Sequence, residues 1–412
     1  MSDNLFRWIF FLINPFVSMI FTFLDYTSAN AKNIFWAFCT FYGLTFAIGA
    51  ESSSSDINRY VTELHQLYIQ DQFSIADIIQ YFQLSGEVDI LRTFLSYIIS
   101  RFTDSQAVLT TVYGFIFGFF FSRNIWYIFD LLKGKLSLFE KLLVFALILV
   151  VPIWFLGGFR MYTAFHIFMY GLLPYIFENK KKSILFVFLS FLVHFSFIVP
   201  ISIVLAYLVF GNRIKFYFVI FVISIFISDF DVNAVNVFVE KYVPAAIDER
   251  SLGYRTEDKV ALAKESIEND NRVWYVALYR KFLRWSLIIS LIYFFLFANP
   301  LINFIVEWKK LFSLNLMFYS AANILVNVPS GGRFLNFPFF LTLVMVVLYL
   351  NQFKNDSKFR GLLSVLSPSF LLFILVSIRM GLYNTSISTV IGSPFIAFFM
   401  AGDTISLNDL IK

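Results

Sequence analysis

Apolar residues run through this chain in long stretches broken by short polar intervals, and the spacing of those intervals predicts its architecture. A helix crossing the hydrocarbon region of a bilayer needs roughly 20 apolar residues. Runs near that length fall at about 5–24, 33–50, 107–123, 140–157, 161–177, 183–210, 214–229, 283–305, 311–328, 334–350, 361–379 and 386–401. Within Phe115–Phe121 no polar stripe survives on any side of a helix, which suits surroundings of lipid or other helices and not water. The 183–210 run is too long for one crossing and contains Pro200 soon after His194. It therefore reads as two short spans meeting at an outer vertex. The expected fold is an all-α, polytopic transmembrane helical bundle of about thirteen spans, with 1–412 forming a single integral membrane domain.

The polar intervals set the orientation. Five are short and basic: 123–141 with Arg123, Lys133, Lys135 and Lys141; 178–183 with Lys180, Lys181 and Lys182; 211–215 with Arg213 and Lys215; 307–310 with Lys309 and Lys310; and 351–360 with Lys354, Lys358 and Arg360. They share one side only if 183–210 is split, and the positive-inside rule makes that side cytoplasmic. The carboxy terminus at Lys412 then lies inside and the amino terminus outside. The first segment contains Asn14 and Pro15, so a shallow, re-entrant helix is an alternative there. It lacks the basic flank and small-residue cleavage site of a secretory signal peptide and stays in the mature chain.

Two outward loops are long. The first, 51–105, carries eight acidic residues against three arginines. Three apolar sets in it have helical spacing: Ile57, Tyr60, Val61 and Leu64; Ile75, Ile78, Ile79 and Phe82; and Leu91, Phe94, Leu95 and Ile98. Ser74 followed by Asp77 predicts a cap for the middle helix. Helices lying on the membrane or packed over the bundle are preferred to direct substrate contact. The second loop, 230–282, has mixed charge and an expected helix from Glu257 to Glu268.

Composition agrees with this reading. Hydrophobic residues make up 59% of the chain and charged residues only 14%, with mean hydropathy +0.75, whereas an ordinary soluble domain is roughly 25% charged. The net charge of +5 is spent on orientation, not on nucleic acid. Cys39 sits alone in an apolar run, and His65, His166 and His194 are scattered without metal-ligand spacing. No metal is implied. Phosphate-cradling glycine loops, GxSxG elbows and HExxH pairs do not occur, which removes support for P-loop nucleotide hydrolysis, serine esterase chemistry and zincin proteolysis. No fixed-period repeat or duplicated half is visible, which weakens a transporter of inverted repeats.

Ionisable residues at membrane depth are expensive unless they face a cavity or a partner. Arg160 follows Gly157 and Gly158 at one outer apex, Arg333 follows Gly331 and Gly332 at another, Arg379 ends a span, and His194 lies near the expected split. Glycines there would let a ligand approach the backbone. The alternative is that the arginines snorkel or pair with carboxylates such as Asp229 and Asp231.

The order of these motifs carries a resemblance. Ser55-Asp56-Ile57-Asn58-Arg59-Tyr60 directly after a span, Arg160 with Ala164 opening a later one, the triple lysine, His194-Phe195-Ser196, and Gly332-Arg333-Phe334-Leu335 together resemble the EpsG family, which belongs with Wzy-type O-antigen and exopolysaccharide polymerases. The chain has Ser-Asp where that family often has Gly-Thr-Asp or Gly-Ser-Asp, and its second outer loop is long. The resemblance implies a GT-C-like glycosyltransferase of the bacterial inner membrane that needs no cofactor. Its substrates would be polyprenyl-diphosphate-linked oligosaccharides, with a growing glycan passed from its carrier onto another lipid-linked repeat unit, and a chain-length regulator protein would be a partner. Arg160 and Arg333 would converge on the diphosphate, since the guanidinium fork donates paired hydrogen bonds. Charge on the departing diphosphate would be stabilised without a metal. Arg59, Tyr60 and Arg379 would contact substrate. Asp56 would be a base toward the acceptor hydroxyl, although an aspartate after serines is also an ordinary helix-start residue. His194 would orient phosphate or transfer a proton, although a lone histidine among phenylalanines is more often structural. An O-antigen ligase, a lipid-linked oligosaccharide flippase and a membrane acyltransferase remain open alternatives.

Overall fold

A computed structural model of the chain describes residues 3–48, 56–70, 89–227, 273–298, 305–326, 328, 330–399 and 405–411. The regular elements among them are helices, with two isolated bridges, Phe46 to Thr385 and Ser386 to Ser406. Among the described residues, four helical runs are long and apolar enough to cross a membrane: Gln106–Leu131, Leu138–Glu178, Gly331–Gln352 and Ser357–Gly381. The expected cap at Ser74 and Asp77, the second-loop helix at Glu257–Glu268 and the carboxylates Asp229 and Asp231 lie outside the described residues.

The chain divides into two units. The first comprises Met1–Leu132, Val151–Ile198 and Ser377–Lys412; the second comprises Lys133–Val150 and Val199–Val376.

In the first unit the opening apolar run is two helices, α1 (Asp3–Ile13) and α2 (Pro15–Leu24). Asn14 breaks it: its backbone is extended and its Oδ1 accepts from the Val17 amide at 2.9 Å, while Pro15 begins the new helix, where its missing amide costs nothing. Helix α3 (Ala31–Leu44) packs on α6 (Gln106–Leu131) through glycines. A Cβ at Gly43 would collide with the Thr110 carbonyl, at Gly114 with the Cys39 carbonyl and at Gly118 with the Cys39 side chain. Small residues at this spacing let membrane helices approach backbone to backbone. Arg123, expected in the loop after this span, lies inside α6, because the helix continues to Leu131.

Helices α4 (Asp56–Ile69) and α5 (Ile90–Ser100) pack together in the acidic loop. In α4 the expected face is inside, with Ile57, Tyr60 and Leu64 buried. In α5 the expectation is reversed. Arg92, Thr93, Ser96 and Ser100 are buried, and Phe94 and Ile98 are exposed. The polar edge turns inward because Arg92 finds an ion pair there, with Glu63.

After a bend at Leu149–Pro152, the 3-10 turn Ile153–Gly158 leads into α8 (Phe159–Glu178). Its His166 is a satisfied core residue: Nε2 donates to the Val151 carbonyl at 3.1 Å, and the Asn124 amide donates to the His166 carbonyl at 2.8 Å. Helix α9 (Ile184–Val193) returns along α8. The long run does split, but at His194 and not at Pro200. His194 is extended (φ −152°, ψ 119°), and Pro200 sits in the first turn of the next helix, where no intrahelical amide is needed. The last apolar run, 386–401, is not one span among its described residues: it forms two short helices, Ile387–Ile391 and Pro394–Phe399, interrupted at Gly392.

The second unit contains α7 (Leu138–Ile148), α10 (Ile198–Phe210, from its second residue), α11 (Ile214–Ile225), α12 (Trp274–Phe297), α13 (Val306–Leu325), α14 (Asn336–Gln352) and most of α15 (Ser357–Gly381). Of the apolar window in Gly331–Gln352, 94% is buried by protein, against 33% for α15, so α14 is the unit's central helix and α15 faces outward. Amides join the helices. Asn315 donates to Thr342 at 2.9 Å, Asn323 to Ser224 at 2.9 Å, and Asn351 to Glu140 at 3.1 Å. Interhelical hydrogen bonds of this kind contribute about 1 kcal/mol in membranes.

Candidate functional site

Four chain segments of the first unit meet at a polar cluster: the start of α4, the residue before α5, the start of α8, and the break between α9 and the 3-10 turn Phe195–Phe197. Asp89 is its centre and is fully buried. One carboxylate oxygen accepts from Arg160 at 2.7 Å and from His194 Nδ1 at 3.2 Å, and the other accepts from the Phe195 amide at 2.9 Å. The helix break explains the last bond, since an extended His194 leaves the next amide without a helical acceptor. Burial by itself would raise the Asp89 carboxyl. The His194 hydrogen bond and charge, then Arg160, then the Phe195 amide overrule it and bring the value down to about 2.

Arg160 lies in the first turn of α8, where the helix dipole disfavours a cation. Carboxylates offset that. Besides Asp89, it donates from Nε to the Tyr60 hydroxyl at 2.7 Å and comes within 3.8 Å of Asp56. Tyr60 is buried, and burial pushes its hydroxyl up. Its ring lies under three guanidinium groups, those of Arg92 at 4.9 Å, Arg160 at 5.4 Å and Arg59 at 5.6 Å, an arrangement that stabilises cations away from water. Asp56 opens α4 and accepts from Arg59 at 2.8 Å. These two are the most exposed members, with side chains 35% and 61% exposed.

The structure thus brings Asp56, Arg59, Tyr60, Arg160 and His194 together. It also changes what Arg160 can do. The cluster holds three carboxylates (Asp56, Glu63, Asp89) and three guanidinium groups (Arg59, Arg92, Arg160), so Arg160 is an anchored, ion-paired group. What the cluster does offer is an imidazole. When His194 is neutral and its Nδ1 donates to Asp89, Nε2 is the acceptor, and an orienting carboxylate behind a histidine is the arrangement that general-base chemistry uses. Asp89, Glu63 and Arg92 escaped the sequence reading. Asp89 looked like one more acid in an acidic loop, and Arg92 sat on the polar edge assumed to face water.

Arg333 belongs to the second unit. Ser330 takes a left-handed backbone (φ 61°) into the 3-10 turn Gly331–Leu335. Gly331 is required for packing, since a Cβ there would collide with the Leu325 carbonyl, whereas Gly332 has open space around it. Three residues after Arg333, the buried Asn336 accepts from Arg280 at 2.5 Å. One helical turn further along α12, Arg284 donates to Asn323 at 2.8 Å, and its Nε is buried without a hydrogen-bond partner. Among the described residues no carboxylate forms an ion pair with Arg280, Arg284 or Arg333. Amide oxygens orient two of these cations without cancelling their charge. The i, i+4 spacing of Arg280 and Arg284 was the available signal, hidden by a span boundary drawn at 283. Arg379 lies exposed in the last turn of α15, where the dipole favours a cation. Among the described residues no three His, Cys, Asp or Glu side chains are grouped as metal ligands would be.

Comparison with known proteins returned no match at three levels: no family model, no curated protein and no solved structure aligns with the chain.

Proposed function

We propose that the protein is a polysaccharide polymerase of the bacterial inner membrane, a GT-C-like glycosyltransferase of about thirteen spans with its carboxy terminus in the cytoplasm, working on polyprenyl-diphosphate-linked repeat units. The observation that carries this reading is the buried Asp89–His194 pair, 3.2 Å apart, beside the water-accessible Asp56 and Arg59. An acceptor sugar hydroxyl gives its proton to His194 Nε2 as its oxygen bonds to the donor's anomeric carbon. The bond from that carbon to the diphosphate oxygen breaks, and the electron pair leaves with the polyprenyl diphosphate. Asp89 holds the imidazolium that forms. Asp56, already engaged by Arg59, suits orientation of the sugar better than proton transfer.

In the second unit, Arg280, Arg284 and Arg333 form no ion pair with a carboxylate among the described residues and suit an anionic part of a lipid-linked substrate. Such preorganised donors stabilise developing negative charge at no reorganisation cost.

The test is product analysis in a deletion strain complemented with wild type or with His194→Ala. Lipid carriers bearing one repeat unit, with variant protein at normal level in the membrane, are the expected result. Full-length polymer left unattached to its lipid core would mean a ligase, and lipid-linked units trapped on the cytoplasmic side would mean a flippase.

A further inference from the structure

Away from the acid-base cluster, the first unit carries a groove of about 720 Å³. One wall is the face of α3 from Asn33 through Trp36 and Thr40 to Leu44; the other is the face of α6 from Thr111 through Phe115 to Arg123. At 1.5 Å per residue these faces run about 16 and 18 Å, close to the roughly 15 Å of hydrocarbon in one leaflet. Aromatic side chains of α1 close the side. The groove is apolar along its length and cationic at one end.

That cation is unusual. Arg123 donates to Asn33 at 3.0 Å and to Ser122 at 2.8 Å. It lies over the rings of Trp36 at 4.6 Å and Phe119 at 4.3 Å. No carboxylate among the described residues forms an ion pair with it. Neutral acceptors and aromatic faces fix its direction and leave its charge intact. Inside a membrane helix, a fixed charge without a counter-ion points to a ligand that brings one. Arg123 also lies in the carboxy-terminal half of α6, the half that leads in sequence to the basic segment with Lys133, Lys135 and Lys141 and that the positive-inside rule places toward the cytoplasmic leaflet.

We propose that this groove binds an anionic glycerophospholipid of that leaflet, with one acyl chain along α3 and α6 and the headgroup phosphate on Arg123. Length selects a single acyl chain, and the uncompensated charge selects a net-anionic headgroup over a zwitterionic one. This site is independent of the glycosyltransferase reading and stands whether or not that reading does.

Native mass spectrometry of the full-length protein in detergent, titrated with phosphatidylglycerol and phosphatidylcholine of identical acyl chains, tests it. The wild type is expected to retain one phosphatidylglycerol with about tenfold preference, the size of one charge-assisted hydrogen bond. Arg123→Gln should abolish the preference while Arg123→Lys keeps part of it. Thr40→Trp, which fills the groove, should lower retention of both lipids. Equal retention of the two lipids by wild type, or an undiminished preference in Arg123→Gln, would overturn the proposal. If Arg123→Gln does not reach the membrane, unchanged phosphatidylglycerol retention by Thr40→Trp overturns it instead. Displacement of phosphatidylglycerol by an equal amount of polyprenyl monophosphate would overturn the choice of a glycerolipid.

Discussion

Neutralising Asp89 probes the buried cluster most directly. Its carboxylate accepts from Arg160, His194 and the Phe195 amide and has no exposed surface. Asp89→Asn keeps the shape and one acceptor oxygen but leaves Arg160, its side chain 16% exposed, without its closest anion. Removing one member of a buried ion pair costs about 3–5 kcal/mol. The oxygen that remains and the Tyr60 hydroxyl put this case at the lower end, about 3 kcal/mol. Acid titration gives a second figure. The folded value of about 2 lies nearly two units below the roughly 3.9 of an unfolded aspartate, equivalent to about 2–3 kcal/mol. Because the folded value is the lower one, this stability is fully present above about pH 4 and is lost as the pH falls toward 2. Protonation costs less than the mutation since the neutral acid keeps both oxygens toward its three donors, whereas asparagine turns an NH2 donor toward them. Thermal unfolding in detergent micelles of wild type, Asp89→Asn, Arg160→Met and the double variant measures the pair. The double variant should lose at least about 1.5 kcal/mol less than the sum of the singles, because it removes both charges. A loss below about 1 kcal/mol for Asp89→Asn, or additive single effects, would refute a buried ion pair at the core of the site.

Other expectations follow from named contacts. Arg333→Ala and Arg284→Met should each cut polymer formation about a hundred- to a thousandfold and accumulate single lipid-linked units, with Arg333→Lys recovering part of the rate; normal polymer from either loss variant would remove that residue from the site. Gly114→Leu forces a side chain against the Cys39 carbonyl and should destabilise by about 3 kcal/mol, read as a lower unfolding temperature; a shift within error would mean that α3 and α6 are not packed backbone to backbone. In a Cys39→Ala background, a cysteine at Ser330 should react with an impermeant reagent in intact cells and one at Lys181 should not. Labelling at Lys181 from outside would invert the orientation.

What the sequence could and could not specify divides along one physical line. Where burial follows apolarity, reading the pattern works. The described parts of the long runs are helical, Ile57, Tyr60 and Leu64 form the inner face of α4, and the excess length of 183–210 does force a break. Where burial follows pairing, it fails. Nothing local marks Arg92 as buried, because the reason is Glu63, 29 residues away in the chain. Asp89 likewise depends on partners 71 and 105 positions distant. Periodicity assigns a polar edge to water by default, and α5 reverses that default once its arginine has an anion. The break at His194 has the same origin, since Pro200 is tolerated in a first helical turn, while an extended histidine is held by a carboxylate that no sequence window contains.

Charge balance carries the argument furthest. From sequence, Arg160 and Arg333 look equivalent, each an arginine after glycines at an apex. In the structure they are different chemical objects. Arg160 sits among three carboxylates with two other guanidinium groups, so its removal should appear first as instability. Arg333 shares the second unit with Arg280 and Arg284, which lean on amides, so its removal should leave the fold intact and weaken only what binds there. Stability and activity of Arg160→Ala and Arg333→Ala, measured side by side, separate the two. An Arg160→Ala protein as stable as wild type but inactive would restore Arg160 as a ligand-binding cation, and an unfolded Arg333→Ala protein would make the second-unit cations structural.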